Sequence, residues 1–274
     1  MLFAFDLDGT IVTQDNELPP RIRDAILALR QHGHQVTVIT GRHHCGAQLA
    51  LETLEVTRHY GTCNGARVHA GGDEHHLELH LEADVLSYLL ERFTKSPDHP
   101  FFLSTRDRMY VRDPEDERWR RERQEGRQLH AVSAYQGEAA HKFIVMGDST
   151  NWYAHEFARR FPANTYYLWA NGYLEVMAQS ANKGQALARV AEHYGISQSE
   201  TVAFGDGPND LEMLRWAGHA VGVGSLAPGV ASVIDEHIAG PEDLGVAHWL
   251  EHFLRTPPGA FQPKRTKFSA EVLS

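Results

Sequence analysis

The chain has 274 residues, 42% hydrophobic and 23% charged, which suits a globular protein of one large or two modest domains with a sizeable core. Its 26 Lys and Arg stand against 36 Asp and Glu, and the net charge of -10 leaves no broad basic face for nucleic acid. Two cysteines, Cys45 and Cys63, fit a reducing compartment better than a disulfide-built secreted domain, and nothing in the sequence fixes an oligomeric state.

The start, MLFAFDLDG, reaches acid at Asp6 without a basic leader, so no signal peptide is expected and the chain reads as cytoplasmic. LFAF (2–5) is a continuous apolar run, as in a strand covered on both faces of a parallel sheet. Pro19 and Pro20 precede Ile22, Ala25, Ile26 and Leu29, a helical stripe that closes at Gly33. QVTVIT (35–40) is a second β-branched strand, and a helix follows over roughly 47–54. This alternation predicts a doubly wound α/β sheet of Rossmann-like type.

After about residue 80 the pattern changes. EADVLSYLLERF reads as a helix, FFLST and MYVRD as a strand pair, and 115–127 as an exposed helix or loop. HKFIVMG is strand-like, NWYAHEFARRF helical, and TYYLWA with YLEVMA forms a strand pair split by the turn signal Asn171-Gly172. From Asn182 the first rhythm resumes with a helix, the strand TVAFG, the helix NDLEMLRW and the strand HAVGVG. The run Trp216 to Ile234, uncharged but with four glycines and Pro228, is a poor membrane helix, and no span is expected. The expected organisation is a discontinuous core, 1–81 and 180–254, an inserted α+β domain, 82–179, and a tail, 255–274, that is either disordered or docked on the body.

In open α/β sheets ligands bind beyond the carboxyl ends of the strands. Those ends carry Asp6 and Asp8, then Thr40, then Gly205-Asp206 with Asn209-Asp210 opening the next helix. Carboxylates converging on one crevice raise one another's pKa unless a cation lies among them, and a hard oxygen-ligated ion, Mg²⁺, suits such a set. The backbone around Leu7 to Gly9, the Thr40 hydroxyl and the Lys183 ammonium are placed to bind phosphate. One carboxylate then serves as nucleophile, and another two residues on as acid and base.

DLDGT (6–10), TGR (40–42), NKG (182–184) and GDGPND (205–210), in that order, resemble the four motifs of the haloacid dehalogenase superfamily of phosphatases. The resemblance covers most of residues 1–250. The long insert between the second and third motifs, with NGA (64–66) before it, looks like the Cof-type, C2-capped branch, subclass IIB. It implies Asp6 as nucleophile, Asp8 as acid/base, Thr40 as phosphate ligand and Lys183 as charge balance. Mg²⁺ would be held by Asp6, the Asp8 carbonyl and Asp206, with Asp210 supporting, and Asn209 would lie near the phosphate. Leu7, Gly9, Thr10, Gly41, Arg42 and Asn64 fall on the substrate side. The loop GVGSLAPGV departs from the GxAMGNA-like stretch common in relatives.

The leading expectation is therefore a Mg²⁺-dependent phosphatase of a small phosphorylated metabolite, a sugar phosphate being favoured, with the insert as a lid. The competing readings are a phosphoacceptor switch, which has no use for an acid/base at Asp8, and an inactive binding protein. A transition-metal role for the eighteen histidines, His43-His44, His75-His76 and His80 among them, is rejected at this level, because HExxH is absent and no spacing fits a closed zinc site. In the insert, Arg106, Arg108, Arg112, Lys142, Tyr166 and Trp169 read as ordinary surface and core.

Overall fold

The computed structural model describes residues 1–71, 77–106, 108–124, 126–257 and 259–263. In chain order the elements are β1 (Leu2–Phe5), α1 (Pro20–Gln31), β2 (Gln35–Val38), α2 (His44–Thr53), β3 (His59–Thr62), β4 (Arg67–Ala70), β5 (Leu77–Glu78) and α3 (Ala83–Thr94). Then come β6 (Phe101–Thr105), β7 (Arg108–Val111), α4 (Arg120–Gln124), β8 (Gln128–Ala131), β9 (Ala140–Met146), α5 (Thr150–Arg160), β10 (Asn164–Leu168) and β11 (Tyr173–Gln179). The chain closes with α6 (Lys183–Tyr194), β12 (Thr201–Gly205), α7 (Leu211–Trp216), β13 (His219–Val223), β14 (Glu236–Ile238) and α8 (Gly245–Arg255).

Two compact units result: Met1–Gly41, Leu49–His76 and Asn182–Ser274 form one, and Arg42–Gln48 with Leu77–Ala181 the other. The short segment Arg42–Gln48 groups with the inserted unit, although the strand and helix rhythm gave no reason to separate it.

The first unit carries a parallel five-stranded sheet in the order β14-β13-β12-β1-β2. The chain moves outward from β1 to β2 on one side and later from β12 to β14 on the other, so the order reverses between β1 and β12. That is the switch point at which open α/β sheets form a ligand crevice. Leu2 to Phe5 are fully buried, and the Phe5 and Phe204 rings stack 4.8 Å apart between these two strands. Helix α1 buries Ile22, Ile26 and Leu29, each large side chain contributing about 1.5–3 kcal/mol relative to exposure. The antiparallel pair β3 and β4 and the helix α8, none of which stood out in the sequence, complete this unit. Of the tail, Phe261 packs against His219, Trp249 and Phe253, so its described part docks on the body. His75, His76 and residues 264–274 lie outside the described residues.

The second unit holds a six-stranded sheet in the order β10-β11-β9-β6-β7-β8, antiparallel except for β7 with β8. Alternation sorts its side chains. Phe101, Leu103, Phe143 and Val145 meet Leu89 and Phe93 of α3 and Phe157 of α5, while Phe102, Ile144 and Met146 meet Trp119 on the opposite face. Asn171-Gly172 turns β10 into β11, with Gly172 at φ +78°. Among the described residues no helix is long and apolar enough to cross a membrane.

Candidate active site

Strand β1 delivers Asp6 to the open end of the sheet, and the Asp6 amide donates to Phe204 O on β12 at 3.1 Å. The chain then turns sharply, with Leu7 O accepting from the amides of Thr10, Ile11 and Val12. Gly9 makes this turn possible. Its φ is +76°, and a Cβ there would stand 2.6 Å from Asp206 Oδ2. The Gly9 amide donates to Val12 O at 3.0 Å and is thereby committed within the turn, and the Thr10 hydroxyl donates to Asp206 Oδ1 at 2.7 Å. Thr10 thus positions a carboxylate, a contact the motifs alone do not foretell. Asp8 is exposed at the tip of the turn.

Lys183 stands at the first position of α6, whose N-cap Asn182 accepts from the Gln185 amide at 2.8 Å. Its ammonium is fully buried and lies 2.7 Å from Asp6 Oδ1 and 2.7 Å from Asp210 Oδ1. The second oxygen of Asp210 accepts from the amides of Asp206 and Gly207 at 3.0 and 2.9 Å. Asp210 is therefore spent on holding Lys183 and the loop after β12, leaving Oδ2 of Asp6 and Oδ2 of Asp206 uncommitted among the described residues. Gly205 is required beside it, since a Cβ there would fall 2.6 Å from the Asp210 carboxyl carbon. The departing loop GVGSLAPGV also reaches this site, because the Ala227 amide donates to Asp206 O at 2.8 Å.

Thr40 follows β2, fully buried, its amide donating to Gly61 O and its carbonyl accepting from the Asn64 amide. Cys63 and Asn64 are both buried in the left-handed region, at φ 50° and 53°. Two adjacent non-glycine residues in that conformation mark a place where the surroundings impose the backbone. The result is a link across the site: Asn209 Nδ2 donates to Asn64 Oδ1 at 2.8 Å, and Gly41 lies so close that a Cβ would stand 2.8 Å from that oxygen. Arg42, by contrast, belongs to the other unit, where its guanidinium donates to Gly46 O at 3.0 Å.

Ligand atoms of Asp6, Asp206 and Asp210 lie within 4.8 Å of one another. Burial first, and then the neighbouring carboxylates against the pull of Lys183, push Asp6 well above the usual carboxylate range. Asp206 is raised to about 7 by burial and by Asp210, with the Thr10 hydrogen bond and Lys183 working the other way. For Lys183 burial acts to lower the pKa, but Asp210 and Asp6 outweigh it and keep the ammonium charged. The cluster thus holds more negative charge than one lysine balances. Two uncommitted carboxylate oxygens and this deficit fit a hard divalent cation.

The insert residues have structural partners. Lys142 pairs with Glu175 at 2.9 Å, Arg112 donates to the carbonyls of Phe93 and Pro97, and the Tyr166 hydroxyl donates to Phe161 O at 2.8 Å.

A parallel sheet with carboxylates and a buried lysine at its switch point suits phosphoryl-transfer chemistry. The family model of haloacid dehalogenase-like hydrolases matches residues 3–250. An HMP-PP phosphatase of Serratia proteamaculans is 31% identical over 96% of this chain and 98% of its own length. The 5-amino-6-(5-phospho-D-ribitylamino)uracil phosphatase of Bacillus subtilis is 26% identical over 92% and 97%. Among solved structures, a haloacid dehalogenase-like hydrolase from Bacteroides thetaiotaomicron superposes with TM-score 0.76 at 20% identity, covering 92% of this chain and 98% of that one. A subclass IIB sugar phosphatase gives 0.78 at 20%, with the same coverage. The chain belongs to the haloacid dehalogenase-like hydrolases, in the Cof-type branch, and is a phosphatase.

Proposed function

We propose that the protein is a Mg²⁺-dependent phosphomonoester hydrolase that acts on a small phosphorylated metabolite, sugar phosphates included, through an aspartyl-phosphate at Asp6. The observation that carries this reading is the Lys183 ammonium held 2.7 Å from both Asp6 and Asp210, with Asp206 beside them. Without compensation, burial would leave Asp6 protonated and unreactive. Lys183 holds Oδ1 and pulls the other way, and a cation bound at the cluster would complete the compensation that an ionised Asp6 needs, with Oδ2 as the attacking atom.

Asp6 Oδ2 forms a bond to phosphorus as the bond from phosphorus to the ester oxygen breaks, and Asp8 gives that oxygen its proton. Asp8, now a carboxylate, takes a proton from the water that attacks phosphorus and frees Asp6. Exposure of Asp8 supports this role, since it must reach an incoming leaving group. Thr40, with Asn209 nearby, would bind the phosphoryl oxygens. Asp6, the Asp8 carbonyl and Asp206 would hold Mg²⁺, with Asp210 behind them. The cation, when bound, neutralises phosphoryl charge and lowers the barrier to attack by an anion.

Support for a small metabolite comes from the relatives named as phosphatases of HMP-PP and of a phosphoribitylamino-uracil. The inserted unit, between the second and third motifs, would act as the C2-type cap that selects the leaving group. A panel of phosphorylated metabolites with Mg²⁺, run against Asp6→Asn as background, tests the reading. Turnover by the native protein that is lost on chelation and absent in the variant is the expected result; a variant of full activity would refute it.

A further inference from the structure

The inserted unit contains a second group of metal-ligand side chains, remote in sequence from every motif. Glu78, at the end of β5, His80, two residues on, and His141, on β9, bring their ligand atoms within 4.8 Å of one another. His80 Nε2 is 3.5 Å and His141 Nε2 3.8 Å from the same carboxylate oxygen, Glu78 Oε2. Ligands about 2.1 Å from a tetrahedral ion are about 3.4 Å apart, so only small rotamer adjustments separate this arrangement from a coordination sphere.

We propose that Glu78, His80 and His141 form a site for a divalent first-row transition ion, Zn²⁺ foremost. Two imidazoles and a carboxylate are borderline donors that favour such ions over Mg²⁺, which demands oxygen. The site is held in place before any ion arrives. The Leu81 amide donates to Ala140 O at 2.7 Å, fastening the Glu78–Leu81 segment to the start of β9. Arg106 Nε lies 3.8 Å from the other carboxylate oxygen, Glu78 Oε1, and turns Oε2 toward the two rings, as outer partners of ligating carboxylates do. His141 is fully buried, while His80 and Glu78 are partly open, so three protein ligands leave a position facing solvent. An ion here would tie the entry to α3 to the cap sheet and stabilise that unit by binding its folded form.

The test uses the full-length protein, stripped with chelator and then kept in excess Mg²⁺ so that the carboxylate cluster is occupied. Titration with Zn²⁺ against a chromophoric chelator is expected to show one tight equivalent per chain, and Co²⁺ to give visible ligand-field bands. His80→Ala should erase both the equivalent and the bands, and Glu78→Gln should weaken binding by about 10- to 100-fold. Because His141 is fully buried, His141→Gln is judged only alongside its circular dichroism, and the partly exposed His80 carries the result independently. Asp206→Asn should retain the Zn²⁺ equivalent, which separates this site from the catalytic one whatever becomes of the Mg²⁺ reading. The double variant His248→Ala/His252→Ala, which removes an adventitious i, i+4 chelate on α8, should also retain it. Zn²⁺ should raise Tm in the native protein and not in His80→Ala. Equal Zn²⁺ binding by His80→Ala and the native chain, or no tight equivalent in the native chain, would overturn the proposal and reduce the trio to a charge cluster.

Discussion

Lys183 offsets part of the negative charge of the site, since its ammonium stands at bonding distance from both Asp6 and Asp210. Removing one partner from a buried ionic network costs roughly 3–5 kcal/mol, because the carboxylates it paired remain buried. Lys183→Met is therefore expected to lower kcat by at least about 10²-fold. In urea unfolding without Mg²⁺ it should also lose about 3 kcal/mol, a loss partly reversed by adding Mg²⁺. Gly9→Ala probes the turn. A Cβ would meet Asp206 Oδ2 at 2.6 Å and hold an alanine at φ +76°, so the Mg²⁺ requirement should rise about tenfold, while the backbone strain costs about 1 kcal/mol. Metal titration of activity beside thermal unfolding separates the two effects. At this scale the motifs were legible because each is a short run on one strand end. The Thr10 to Asp206 bond and the Glu78, His80 and His141 trio were not, because Thr10 is distant in sequence from Asp206, and His141 from Glu78 and His80, and they meet only through the fold.

Helix α6 ends at Gly195, in the left-handed region at φ 63°, where an added Cβ would meet nothing within 4 Å. Gly195→Ala should thus cost about 1 kcal/mol from backbone conformation alone and leave turnover unchanged, as chemical denaturation and a steady-state assay would show. Helices α1 and α8 are joined by Arg21 and Glu251 through two bonds of 2.7 and 2.8 Å. The hydrogen bond from Arg21 holds the Glu251 carboxyl below its ordinary value. A depressed folded-state pKa means that the pair's stabilisation is present above the unfolded-state value, about 4.3, and is lost as pH falls through the folded one. The Tm difference between native protein and Glu251→Gln is expected to be visible at pH 7 and to shrink as pH falls below about 4; a difference that grew on acidification would contradict the assignment. Periodic apolar stripes made α1, α3 and α6 readable. The pair β3 and β4 was not, because its four-residue strands flank Cys63 and Asn64, whose left-handed backbone is imposed by tertiary contacts rather than written in local propensity.

For the whole molecule, the change of rhythm after residue 80 and its return at Asn182 made an insertion within a parallel α/β unit legible, and the fold class follows from that pattern. The segment Arg42–Gln48 escaped it, because grouping depends on contacts and not on chain order. The parallel pairing of β7 with β8 was likewise hidden, since β8 is short and only half-buried. On the proposed reading, substrate choice rests on the insert, whose basic and aromatic residues mostly have structural partners, so turnover across a metabolite panel must identify the substrate. The central claim is that Asp6 becomes phosphorylated, and borohydride reduction of enzyme quenched during turnover tests it most directly. An acyl phosphate at Asp6 is reduced to the alcohol, so peptide mass spectrometry should find homoserine at position 6 only when substrate and Mg²⁺ are both present. Full turnover with residue 6 unaltered, or homoserine at another aspartate, would contradict the account.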